Sequence, residues 1–186
     1  DRCRLGRIFR YEIVFFLSLG LYLFLVVLRL QVSISFFLVD VLGKDLTLTH
    51  RTALWDTTIA AIQKKPWIGW GLQPVDARHL LYGSATIQSA HNQILEVFYQ
   101  GGVILLVLFL TVQLLAGYCV IRYNRSWYAP VFAAFFFAQY TLWLAEVYHQ
   151  PVFYLLPLLA FRIRELEEWS GRERGWEMWE SRRSSA

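Results

Sequence analysis

An all-α membrane protein, with about four transmembrane helices and one large extracytoplasmic loop containing an amphipathic helix, is the fold class this sequence predicts. Three observations predict it. Of its 186 residues, 56% are hydrophobic and 17% aromatic, against roughly 45–50% apolar content in soluble domains, and the mean hydropathy is +0.39. The excess sits in long uncharged runs, as membrane spans require. The arginines collect at the ends of those runs, which reads as a topology signal and sets aside nucleic acid as the reason for the +4 net charge.

The first run, Ile13 to Leu28, follows Arg2, Arg4, Arg7 and Arg10. No small-residue cleavage site follows Leu28, so the run reads as a span and not as a signal peptide, with its basic leader in the cytoplasm. A second run, Val97 to Ile121, stops at Arg122 and Arg125, again a cytoplasmic mark. A third, Trp127 to Ala145, ends at Glu146 on the outer side. The last, Pro151 to Phe161, is short of the roughly 20 residues of a full span. It reads as the return arm of a hairpin, kinked at Pro157, with Arg162 and Arg164 as a cytoplasmic stop.

The tail, residues 162–186, holds six Arg and six Glu. Leu166, Trp169, Trp176 and Trp179 fall near helical spacing, which suits either a surface-lying helix or a solvated tail. The chain is thus expected to be one membrane domain over residues 1–186, with loop 29–96 outside and the tail inside. Its first residue is Asp1 and not Met, which reads as a fragment or a processed product. Cys3 and Cys119 suggest neither a disulfide nor a metal site.

The outer loop carries the polar chemistry. Thr47 to Lys65 reads as an amphipathic helix, capped by Thr47 or Thr49 and closed by Pro66. Trp55, Ile59 and Ile62 make one apolar stripe. Arg51 lies on that stripe, either as a snorkelling or salt-bridged side chain or as a planar fork aimed at a phosphate. In Trp67-Ile68-Gly69-Trp70-Gly71 the glycines allow tight turns and the tryptophans suit a membrane interface. Leu72 to Ala90 reads as irregular, a covering loop.

Ser89 is the expected N-cap of the next helix, placing His91 in its first turn, where the helix dipole favours the imidazole able to accept a proton. A histidine at a helix start is also a common structural feature. Asn92 and Glu96, one turn apart, can hydrogen-bond or orient a sugar hydroxyl. Gly101-Gly102 reads as a close helix-packing point. Glu146 and His149 are ionisable groups near membrane depth, which usually have a partner or a task, and they are expected to share an outer cavity with Arg51 and His91.

Three ordered stretches, Leu42 to Trp55, Lys65 to Gly71 and Ser89 to Glu96, resemble the O-antigen ligase and polysaccharide polymerase family, in its C-terminal portion. Two positions differ: His50 stands where the family usually has glycine, and Ile104 and Leu105 replace a glycine after Gly102. The resemblance implies an integral membrane glycosyltransferase. It moves a glycan from undecaprenyl pyrophosphate to an acceptor glycan hydroxyl at the outer face of the bacterial inner membrane. By the same resemblance Arg51 binds the pyrophosphate and His91 is catalytic, acting on the acceptor; Asn92, Glu96 and Glu146, read from their own placement, are expected to bind substrate.

Full-length members have more spans and an upstream basic residue at the pyrophosphate, so the fragment alone is expected to be inactive. No nucleotide motif is present and no cofactor is expected. The lipid bilayer and other polysaccharide-assembly proteins are the further partners implied. The Gly43-Lys44-Asp45-Leu46-Thr47-Leu48-Thr49 run leans toward a polymerase. A protein O-oligosaccharyltransferase is the near alternative. A non-catalytic subunit or transporter piece binding an anionic lipid is the distant one, set against by the lack of an internal repeat.

Overall fold

The computed structural model describes residues 10–28, 48–148 and 152–169, and every regular element among them is helical. Helix α1 (Tyr11–Tyr22) runs on into a π-helical turn, Leu23–Val27. Then come α2 (Leu48–Lys64), α3 (Val75–Tyr82), α4 (Gln93–Arg122), α5 (Ala129–Ala145) and α6 (Val152–Phe161). Residues 163–169 are helical as well. Thr47, His149, the leader before residue 10, loop residues 29–47 and the tail from 170, with Trp176 and Trp179, lie outside the described residues.

Two cores sit at opposite ends of the helices. At one end Tyr11, Val14, Val120, Phe132, Phe136 and Ile163 interlock around Ala116, Ala133 and Ala160. The small residues let the helix backbones approach: a Cβ on Gly117 would overlap the Tyr11 ring. The hydroxyls of Tyr11 and Tyr140 meet at 2.8 Å, giving two buried polar atoms each a partner. Arg10, Arg122, Arg125 and Arg162 adjoin this core in sequence, so the arginines that end the apolar runs gather at one end. At the other end Val26, Trp55, Ile62, Leu95 and Tyr99 pack with Tyr22, Ile59, Trp70 and Leu144.

Among the described residues one helix, α4, is long and apolar enough to cross a membrane. Tyr11–Val26 and Ala129–Ala145 are shorter apolar helices. Helix α6 packs against α4 and α5 and brings Ala160 back to the arginine end, as a return arm does. Pro157 lies inside it.

Helix α4 is broken. Gly102 has φ 62° and ψ −162°, a backbone conformation that glycine reaches without the Cβ penalty. The break leaves helix carbonyls and N–H groups without partners within α4, and residues 66–71 satisfy them. Trp70 and Gly71 donate their N–H groups to the carbonyls of Tyr99 and Gln100 at 2.9 and 2.8 Å, while Val103 and Ile104 donate to Pro66 and Trp67 at 2.8 and 3.3 Å. A Cβ at Gly102 would lie 2.3 Å from Trp67 backbone atoms, and one at Gly69 would lie 2.5 Å from the Tyr99 carbonyl. The close approach expected at Gly101-Gly102 is therefore real, but its partner is an irregular backbone and not a second helix.

Two local expectations change. Helix α2 matches the amphipathic helix expected, with Trp55 and Ile62 buried, yet Thr49 lies inside it and is not its cap. The stretch read as irregular contains α3, begun by Pro74, carrying Asp76 in its first turn and closed by Gly83 at φ 62°.

Candidate functional site

The start of α4 and the end of α5 bring His91 and Glu146 together. His91 Nδ1–H donates to the Glu146 carboxylate, 2.9 Å from Oε1 and 3.1 Å from Oε2. This fixes the tautomer: with Nδ1 carrying the hydrogen, the Nε2 lone pair is the one available to a reacting group. The pair stands open, with side chains 35% and 43% exposed. Glu146 follows the last residue of α5 in an extended conformation, which turns its side chain away from the helix axis.

His91 itself is not in the first turn of α4. The cap is Asn92, whose Oδ1 accepts from Leu95 N–H at 3.1 Å, and α4 begins at Gln93. Ser89 instead accepts the His91 N–H at 3.3 Å. Both Ser and Asn cap well, and here the asparagine wins. His91 is left outside the helix at φ 48°, in a region a non-glycine residue enters at some cost.

That backbone is held from two sides. The buried Trp55 indole donates from Nε1 to the Ala90 carbonyl at 3.0 Å. One turn earlier on the same helix, Arg51 donates from a terminal nitrogen to the Ala145 carbonyl at 2.5 Å. Helix α2 thus grips the residue before His91 and the residue before Glu146. Gln93 fixes the remaining loop: its Oε1 accepts the Tyr148 N–H at 2.7 Å and its amide faces the Tyr154 hydroxyl at 3.5 Å.

Arg51, His91 and Glu146 therefore converge. Asn92 and Glu96 do not face the same opening. Asn92 is fully buried under the helix start, with Nδ2 lacking a hydrogen-bond partner in the structure. Glu96 is buried against Arg78 of α3, whose two terminal nitrogens reach its two carboxylate oxygens. Gln100 adds a bond to Glu96 Oε1 at 2.6 Å, and the Arg78 guanidinium lies 4.3 Å over the Tyr99 ring. Beside them the Tyr82 hydroxyl meets Thr58 at 3.0 Å, and burial pushes the Tyr82 phenol up.

Sequence reasoning passed over Arg78, Gln93 and the hydrogen bond of Trp55. A signal for Arg78 was present: Pro74, Asp76 and Gly83 are start and stop marks of a helix, and an arginine inside it needs a partner. Among the described residues no three His, Cys, Asp or Glu side chains gather as metal ligands.

The arrangement holds a partly exposed imidazole, bonded through Nδ1, and near it a guanidinium at the end of α5. A family model described as O-antigen ligase matches residues 3–110, a stretch that takes in α1 to α3, Arg51, His91 and the break in α4. No curated protein and no solved structure matches the chain.

Proposed function

This chain belongs to the O-antigen ligase family, and we propose that it transfers a glycan from undecaprenyl pyrophosphate to an acceptor sugar hydroxyl at the outer face of the bacterial inner membrane. The family is one of membrane glycosyltransferases that use a lipid-linked glycan and an acceptor glycan. The observation that carries our reading is the bond from His91 Nδ1 to Glu146, which leaves Nε2 to act as a base.

In this reading the acceptor hydroxyl oxygen attacks the anomeric carbon of the donor. His91 Nε2 takes the hydroxyl proton, Glu146 stabilises the imidazolium that forms, and the bond from the anomeric carbon to the pyrophosphate oxygen breaks. The pyrophosphate leaves with that electron pair, and Arg51 stabilises the charge. Attack opposite the leaving group inverts the anomeric centre in one step. Asn92 and Glu96 act indirectly, by holding the start of α4. The remaining apolar helices cross or re-enter the bilayer beside α4, about four in all. Loop 29–96 lies outside and the arginine end lies in the cytoplasm.

His91→Ala tests the reading. In the complete, membrane-embedded enzyme this variant should keep donor binding and lose transfer on the order of 10²–10⁴-fold, and His91→Gln should do no better. Near wild-type transfer by a folded His91→Ala protein would reduce His91 to a helix-start residue. Labelling of Asp76→Cys from outside intact cells checks the sidedness, and protection of that cysteine would overturn it.

A further inference from the structure

The knuckle that closes the break in α4 combines exposed apolar side chains with a fixed backbone. Residues 63–68 are all exposed, and two of them are large and apolar: Trp67 is 68% and Ile68 72% exposed. Their backbone is nonetheless held, because the carbonyls of Pro66 and Trp67 accept from Val103 and Ile104. The exposed side chains are thus presented by a rigid support.

That support fixes their depth. Val103 and Ile104 open the uninterrupted part of α4, the helix long and apolar enough to cross a membrane, whose Ile104, Leu105, Val107 and Leu108 are exposed in turn. The exposed apolar residues of the helix begin at Ile104, whose N–H donates to the Trp67 carbonyl, so they start beside Trp67 and Ile68. Just behind them Lys64 ends α2 and carries no ion pair among the described residues, while the Lys65 ammonium lies 4.2 Å over the Trp70 ring. A tryptophan, an aliphatic side chain and a cation at the mouth of a span match the layering of a bilayer boundary.

We propose that residues 64–68 are an interfacial anchor seated in the outer leaflet, with Trp67 and Ile68 among the upper acyl chains and Lys64 at a phospholipid phosphate. Through Gly69 and Gly71 the anchor is joined to the backbone beneath the site, so it sets the height of His91 and Glu146 above the hydrocarbon. The inference concerns the bilayer itself and stands apart from the transfer chemistry.

The test uses the full chain with both native cysteines changed to serine, reconstituted in phosphatidylcholine nanodiscs and labelled with an NBD fluorophore at Ile68→Cys. Its emission should lie to the blue of the same label at Asp76→Cys on α3. A nitroxide near the ester end of the lipid acyl chains should remove most of its intensity, and one near the methyl end much less. Trp67→Cys should read the same way. Emission as water-exposed as that at Asp76→Cys would overturn the proposal. So would blue-shifted emission that neither lipid quenches, since a protein surface would then cover the knuckle.

Discussion

Glu96 lies in the first turn of α4 and Glu146 just past the end of α5, and each faces a side chain that can carry positive charge. The Arg78–Glu96 pair is sealed, with side chains 7% and 2% exposed, and is surrounded by Gln100, Tyr99 and Tyr82. The His91–Glu146 pair is open, and among the described residues no hydrogen bond engages the second ring nitrogen of His91. A buried charge must be matched where it stands, so Glu96 has every reason to stay with Arg78. An open pair with a free lone pair keeps the capacity to exchange protons with a ligand. The difference separates a carboxylate sealed inside the fold from the carboxylate we propose for the site, although both looked alike as acids near the start of an apolar helix or the end of one.

The comparison can be broken most directly at the sealed pair. Arg78→Met strands a buried carboxylate and should destabilise the protein by about 3–5 kcal/mol, while Arg78→Met with Glu96→Leu should recover most of that. Thermal unfolding in detergent reads both, and a wild-type midpoint for Arg78→Met would return Glu96 to the substrate-binding set. Glu146→Gln should do the reverse. Transfer should fall by up to the ~10²–10⁴-fold lost with the base itself, while stability stays within about 0.5 kcal/mol. If unfolding and turnover fall together, Glu146 is structural and the contrast disappears.

Arg51→Lys is the milder perturbation of the open site. Lysine keeps the charge and loses the planar fork, so apparent donor affinity should weaken roughly tenfold, about the 1.5 kcal/mol of one charge-assisted bond. Unchanged donor affinity in a titration would leave Arg51 as a strut between α2 and the end of α5. Smallest of all is Arg164→Gln, which unpairs Glu168 on an exposed surface. It should leave the unfolding midpoint where it was, and a clear drop would mean that exposure is a poor guide to the role of ion pairs in this molecule.

How much of this could be read from the residues depended on the distance over which each feature is specified. Helix α2 was legible because Trp55, Ile59 and Ile62 repeat at helical spacing and Pro66 ends the pattern. The convergence of Arg51, His91 and Glu146 followed from placing them all on the outer side of apolar runs. The choice of Asn92 over Ser89 as cap was not legible, since both are good caps and the backbone between them is held by a distant residue, Trp55, at Ala90. Helix α3 was hidden among small polar residues, despite its Pro74 and Gly83. The ion pair between Arg78 and Glu96 depends on how α3 folds back, and the break at Gly102 depends on a matching backbone more than thirty positions away. No local pattern carries either one.

The break in α4 also bears on the order in which the molecule is assembled. Residues 103–122 are about 20 in number, roughly 30 Å of helix, and apart from N–H groups of the first turn, Val103 and Ile104 among them, their backbone bonds lie within the helix, so they can enter a bilayer as an independent unit. The turns before Gly102 are different. The carbonyls of Tyr99 and Gln100 have their partners only after Trp70 and Gly71 arrive. Insertion of the lower helix should therefore come first, and docking of the preceding loop should complete the upper turns afterwards. On that order His91, just ahead of those turns, is set in place by a late step of biogenesis, after the membrane has already received the lower helix.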